Sequence, residues 1–284
     1  MSISVASNIL SLKARNSLAK TEREQGKVYE RLSSGLRINS GSDDSAGLML
    51  AETLRTQSRI LSVALRNAND GLSYSAIADT GLASASQLLA RMGELANQSA
   101  NATYTTSQRS ALASEFVALS SEIDRVAASN TFNGLGTISN SSNITIQVGF
   151  DSSANSQITL TSALGTLTYL GFMNGANLRY SITGINIDQA VTASRLALTA
   201  INSAIETVTQ QRGVIGANSS RLQFAIENIS VMRDNFAAAE AAIRDADTAA
   251  DVAEMLRLQI LAQAQTSVLA QANQQPALAL RLLG

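Results

Sequence analysis

The sequence predicts a mainly α-helical fold: a long coiled-coil bundle built from both chain halves, paired terminal helices, and a small β-hairpin element in the centre. Three observations carry this. Apolar residues make up 45% of the chain but aromatics only 4%, with no Trp, so small side chains fill helix seams rather than one thick core. An alternating 4/3 spacing of apolar residues runs from 187 to 243. Short β-branched alternations are confined to a middle rich in Gly, Asn and Ser.

Composition also excludes. The 284 residues suffice for one large domain or two small ones. A formal charge of −1 points to neither nucleic acid nor an anionic membrane as partner. With no Cys and no His, disulfides, thiolate nucleophiles, common zinc sites and imidazole acid–base chemistry all disappear. No catalytic, cofactor-binding or metal-binding residues are expected. No apolar run is long enough to span a bilayer, so membrane insertion is not expected either. "MSISVASNIL" lacks the charged start and unbroken apolar run of an ordinary signal peptide, and the expectation is export without a cleaved leader.

The N-terminal segment, residues 1–45, carries a thin apolar stripe of Ile3, Ile9, Leu10 and Leu18, then Val28 and Leu32 after a polar interval. The C-terminal segment, 240–284, carries Val252, Met255, Leu256, Leu261, Ala264, Val268 and Ala272, closed by Pro276. Residues 1–44 hold seven Lys/Arg against five Asp/Glu, whereas 240–284 hold three against five. The ends are therefore weakly complementary. A lone helix with so narrow a stripe does not cover its apolar side by itself, so these ends are expected to be buried against each other and between copies. The self-assembly stripe is Ile3, Ile9, Leu10, Leu18, Val252, Leu256, Leu261 and Val268.

"ERLSSGLRINSGSDDSAG", residues 30–47, has neither the Lys of a phosphate loop nor the spaced acids of a calcium loop. It reads as a flexible link, bent at Gly35 and Gly41, with Ser42 or Asp43 capping a helix that begins near Ser45.

Residues 46–133 form the N-terminal part of the bundle. Leu54, Leu61, Leu65, Ala68, Leu72, Leu82, Leu89 and Ala96 share one frame, and Leu112, Phe116, Leu119, Ile123 and Val126 another. The polar "NQSANATYTTSQ" between them is a turn joining antiparallel helices. Residues 134–183 supply strands at "NITIQVG", "SQITLT" and "LRYSIT", a β element capping one end of the helices. Residues 184–239 are the long C-terminal helix. Its seam includes Ile201, Val208, Ile215, Leu222 and Ile229, with charged Arg212, Arg233 and Glu240 on the same frame. Gly213 and Gly216 are its weak place.

"ERLSSGLRINSGSDDSAGL", "ANDGLSYSAIADTGL", "ELANQSAN" and "SEIDRVAASNTFNG", followed at the other end by "TSVLAQANQQPALALRLLG", closely resemble the signatures of bacterial flagellin. The likeness covers about 1–133 and 185–284, with the centre matched through "ITIQVG". It implies a secreted filament subunit that self-assembles with other flagellin copies. Its terminal helices would order on assembly and line an inner tube, with the bundle outside. It further implies the flagellar type III export apparatus, an export chaperone, the filament cap and the hook-junction proteins as partners. The location is the extracellular flagellar filament, or one beneath a sheath. A hook–filament junction protein shares the terminal helices but not usually the "LAQANQ" ending. Gly284 stands where many relatives have Arg.

Arg91, Leu95 and Glu115 match family residues contacted by the vertebrate innate immune receptor for flagellin, though Gly93 replaces a basic residue common in relatives. The alternative reading is that Arg91 and Glu115 are solvated helix charges and Leu95 packs beside a seam.

Overall fold

The computed structural model describes residues 8–174, 177–184 and 186–283. Among them are five α-helices: α1 (Ile9–Ser34), α2 (Ser45–Ser99), α3 (Thr106–Ser129), α4 (Ile187–Arg244) and α5 (Thr248–Leu283). Between α3 and α4 lie three antiparallel two-stranded hairpins. These are β1 (Thr131–Phe132) with β2 (Leu135–Gly136), β3 (Ile144–Gln147) with β4 (Gln157–Leu160), and β5 (Met173–Asn174) with β6 (Asn177–Leu178). The fold is mainly α, as expected. Two compact units emerge, one from residues 1–58 with 234–284, the other from 59–233.

In the second unit α2, α3 and α4 share a core. On α2 an unbroken 3/4 frame of buried positions runs through Leu61, Ala64, Ala68, Gly71, Ser75, Ala78, Leu82, Ala85, Leu89, Met92, Ala96 and Ser99, with Tyr74, Gly81 and Leu95 buried beside it. On α4 they are Ser194, Ile201, Val208, Ile215, Leu222 and Ile229, interleaved with Ala190, Ala197, Ala204 and Asn218. Half of the expected α4 frame is therefore displaced by one residue. Val191, Leu198, Ile205 and Ile226 flank the seam half-buried, because Ala at the closest positions lets the backbones approach and pushes branched side chains aside. On α3, Phe116 and Ile123 are buried as expected, with Ser120 and Ala127 taking the other close positions. Through Gly213 and Gly216 the α4 helix runs on unbroken.

The turn between α2 and α3 is tied by a buried cation. Arg109, 3% exposed, donates to the carbonyls of Ser99, Asn101 (2.9 Å) and Tyr104 (3.2 Å). It thereby satisfies the Ser99 carbonyl that the end of α2 leaves open, and two more in the turn beyond it. Thr105 and Gln108 close a capping box at the start of α3.

The central segment does not cap one end of the helices. Ile146 packs where a Cβ on Gly71 would lie 3.1 Å from its Cγ1, and Ile138 reaches to 2.9 Å from the same point on Gly81. Further along, the Ile182 carbonyl accepts from the Ser99 hydroxyl at 3.0 Å. The segment thus follows α2 from Gly71 to Ser99, in slots opened by glycine and serine. Its Ile138, Leu167, Phe172 and Ile182 join the helical core. "NITIQVG" and "SQITLT" pair as β3 and β4. "LRYSIT" is not a strand beyond Leu178: its partner is the two-residue β5, and Ile182 is drawn into the core instead. The additional hairpin β1–β2 turns on Asn133 and Gly134, both at positive φ.

In the first unit α1 ends at Gly35 in the left-handed conformation (φ 71°), its N–H bonded to Arg31 O at 2.8 Å. The following link is held rather than flexible. Arg37 N–H donates to Arg244 O (2.6 Å) and Ala246 N–H to Gly35 O (3.0 Å), so the two interhelix connections form a bridge between Leu36 and Asp245. The cap of α2 is Asp44, accepting from Ala46 and Gly47 N–H at 3.1 and 2.9 Å. Asp43 instead folds back onto Asn39 and Ser40, since only the residue next to the helix can reach its first free amides. α5 continues past Pro276; one missing donor interrupts the hydrogen-bond ladder without ending it.

Candidate assembly surface

The two ends of the chain meet as antiparallel helices. Asn8 Nδ2 donates to Ala272 O (2.8 Å), Gln265 Nε2 to Ser17 Oγ (3.3 Å) and Gln259 Nε2 to the Tyr29 hydroxyl (3.0 Å). The fourth rung is ionic: Arg31 Nη2 lies 2.6 Å from Asp251 Oδ1, and its Nε contacts both carboxylate oxygens. That hydrogen bond raises the Arg31 pKa above its ordinary value, so the cation is permanent. Arg244 pairs with Glu52 at 2.8 Å and Arg55 approaches Glu240 at 4.0 Å. Thr21, Val28, Leu258 and Ala272 are buried in the pairing. The seam is polar and thin, and what it leaves outside matters more.

Ile9 is 58% exposed, Ile260 67% and Val268 57%; Leu10, Leu12, Val252 and Leu256 are exposed as well. Of the expected stripe, Leu18 and Leu261 are half-buried, whereas Ile9, Leu10, Val252, Leu256 and Val268 remain exposed beside the seam. Ile3 lies outside the described residues, as does Gly284. Leu12 and Ile260 were not legible as part of the surface, because a one-stripe reading discards apolar residues off its frame. A groove of about 480 Å³ between the helices is lined by Leu10, Ala14, Ser17, Gln265 and Val268 among others.

In the second unit Arg91 reaches Glu115 across the α2–α3 pair and Glu94 along α2, both at 2.8 Å. Leu95 is 1% exposed and belongs to the core. The structure brings Arg91 and Glu115 together on the surface and places Leu95 beneath them. Arg212, on the α4 frame, pairs with Asp79 at 2.7 Å. Among the described residues no cluster of acids could hold a metal ion, and no helix is long and apolar enough to cross a membrane.

Long helices contributed by both chain ends, paired through a thin seam with apolar side chains turned outward, define a structural helical protein. The chain belongs to the flagellin family and is a structural protein, not an enzyme. The bacterial flagellin N-terminal helical region matches residues 5–143 and the C-terminal helical region 198–283. The flagellar filament 33 kDa core protein of Treponema phagedenis is 34% identical over 97% of this chain and 98% of its own. A flagellin of Halalkalibacterium halodurans is 35% identical over the same shares. Flagellin A of Vibrio cholerae is 30% identical over the whole of both chains. The fold is also similar to that of a putative flagellar hook-associated protein from Vibrio parahaemolyticus. It aligns over 72% of this chain and all of that one at a TM-score of 0.58 and 17% identity.

Proposed function

We propose that this chain polymerises through its paired terminal helices, as the repeating subunit of an extracellular bacterial flagellar filament used for swimming. The observation that carries this reading is the outward set Ile9, Leu10, Leu12, Val252, Leu256, Ile260 and Val268, still exposed after α1 and α5 have paired. Apolar surface returns about 25 cal/mol per Å² when removed from water, and copies packed side by side cover these residues on every subunit. The stripe, with Ile3 at its start, is the assembly element, and residues 1–45 with 240–284 form the inner part of the polymer. Family membership supports the rest of the reading: the flagellar type III export apparatus, an export chaperone, the filament cap and hook-junction proteins are its partners.

Removal of residues 265–284 tests it. Salt-induced sedimentable polymer should disappear while the far-ultraviolet spectrum keeps its helical signal. Normal filaments from the shortened chain would overturn the assignment.

A further inference from the structure

The chain holds two Asn–Gly pairs, Asn133–Gly134 and Asn174–Gly175. Gly175 lies outside the described residues. Asn133 and Gly134 form the whole two-residue loop between β1 and β2, with Phe132 paired to Leu135. Both loop residues are exposed. Their φ angles are 50° and 78°, left-handed values that asparagine accepts more readily than most residues bearing a side chain. A Cβ at Gly134 would meet nothing within 4 Å, so nothing packs over the peptide that joins the two. Among the described residues no hydrogen bond holds the Asn133 side chain or the Gly134 N–H.

This loop sets an electrophile beside a nucleophile. The Asn133 side-chain carbonyl carbon and the Gly134 amide nitrogen are spaced to close a five-membered ring, and glycine has no side chain to obstruct the approach. Asn16, Asn202 and Asn218 sit inside helices, where the following N–H is engaged four residues back and the dihedral angles are fixed. A hairpin with two residues in each strand opens readily by comparison, which gives the loop the freedom that ring closure needs.

We propose that Asn133 is a site of self-modification. The Gly134 nitrogen, having lost its proton to solvent base, bonds to Asn133 Cγ; the bond from Cγ to the side-chain nitrogen breaks, and that nitrogen leaves as ammonia. Water then opens the cyclic imide at either carbonyl, leaving aspartate or isoaspartate. The iso form routes the main chain through Cβ and Cγ and lengthens the turn by one atom. That parts Phe132 from Leu135 and draws the Phe132 ring away from its edge-on contact with Tyr74, 6.2 Å between centroids.

Incubation of the intact chain at mildly alkaline pH, followed by peptide mass mapping and isoaspartyl methyltransferase labelling, tests this. Conversion of amide to acid should appear at Asn133 ahead of Asn16, Asn202 and Asn218, should include isoaspartate, and should slow at mildly acidic pH. Amide protection over 131–137 should fall in the aged chain but not in freshly prepared Asn133→Asp, which carries the new charge on a main chain of the original length. Aspartate without isoaspartate would mean direct hydrolysis and overturn the ring mechanism. Conversion at Asn133 in the urea-unfolded chain but not in the folded one would show that the turn locks ring closure out, and overturns the proposal as well.

Discussion

Arg31 and Asp251 are separated by 220 positions and yet form a forked ion pair, with nitrogen–oxygen distances of 2.6, 3.1 and 3.2 Å. The Asp251 side chain is only 12% accessible and that of Arg31 30%, so this is the least solvent-screened of the ion pairs in the first unit that join one chain end to the other. Truncating either partner should cost about 1.5–3 kcal/mol, since a charge is left poorly solvated beside the seam. Arg31→Ala and Asp251→Ala should be equally damaging and strongly non-additive. Hydrogen exchange of α1 and α5 amides in the two single variants and the double variant measures this; additive losses would show that the pair does not couple the helices.

How much of this could be read from residues alone depended on side-chain size and sequence separation. The helix over 187–243 was legible because large apolar residues recur at 201, 208, 215, 222 and 229. Ala190, Ala197 and Ala204 were not, because alanine reads as filler until a neighbouring backbone shows why nothing larger fits. "LRYSIT" alternates like a strand, but its partner segment is too short to pair with it. The link at 35–37 looked free because its partners lie more than 200 residues on and bond through backbone atoms, which no composition reveals. Of the assembly surface, the thin stripe was legible and its outward neighbours Leu12 and Ile260 were not, since exposure is a property of the folded pair.

Two kinds of glycine separate cleanly. A Cβ at Gly81 would collide with the Asn130 side chain and sit 2.9 Å from Ile138 Cδ1, whereas at Gly213 and Gly216 nothing lies within 4 Å. Gly81→Ala should therefore destabilise by roughly 1–3 kcal/mol through overpacking. Gly213→Ala and Gly216→Ala should each stabilise the unassembled chain by about 0.5–1 kcal/mol, from helix propensity. Thermal unfolding followed by circular dichroism gives opposite signs if the packing is right, and equal signs if it is not.

Arg109 makes a third case. Its guanidinium serves three carbonyls in the α2–α3 turn, and replacement by Met removes that donor from all three, leaving Asn101 O only the long contact from Tyr104 N–H at 3.4 Å. A loss of about 2–4 kcal/mol follows. Arg109→Lys should recover part of it, because an ammonium reaches fewer of the three in one geometry. Denaturant titration of the three proteins should rank them Arg, Lys, Met; a fully stable Met variant would show that the turn stands without the cation.

Acid should open two loops held by carboxylates, and only at low pH. Hydrogen bonds from the Ser40 N–H and hydroxyl, with a smaller contribution from Asn39, hold the Asp43 carboxyl below its ordinary value of 3.8. Asp151 is lowered in the same way by Ser156 and Ser153. A carboxylate with a depressed folded pKa contributes fully above its unfolded pKa and loses that contribution as pH falls through the folded value. Both loops should stay closed at pH 5 and loosen below about pH 4. Asp43→Asn should already be looser at pH 5, with a smaller further change on acidification. Amide exchange at 39–47 measured across that range decides it.

Arg91, Leu95 and Glu115 allow folding and recognition to be told apart. The resemblance to flagellins matches all three to family residues contacted by an innate receptor, but only Arg91 and Glu115 present surface, joined at 2.8 Å. Both charges are well solvated, so Arg91→Ala should leave the melting temperature within error. Leu95 is sealed in the core, and Leu95→Ala should cost about 2–5 kcal/mol by opening a cavity. Receptor affinity measured beside melting temperature then separates the residues. A contact at this surface predicts weaker binding for Arg91→Ala at unchanged stability, while Leu95→Ala should weaken binding only together with stability. Equal affinity of the parent and Arg91→Ala would reduce the trio to a helix-surface ion pair above a core leucine.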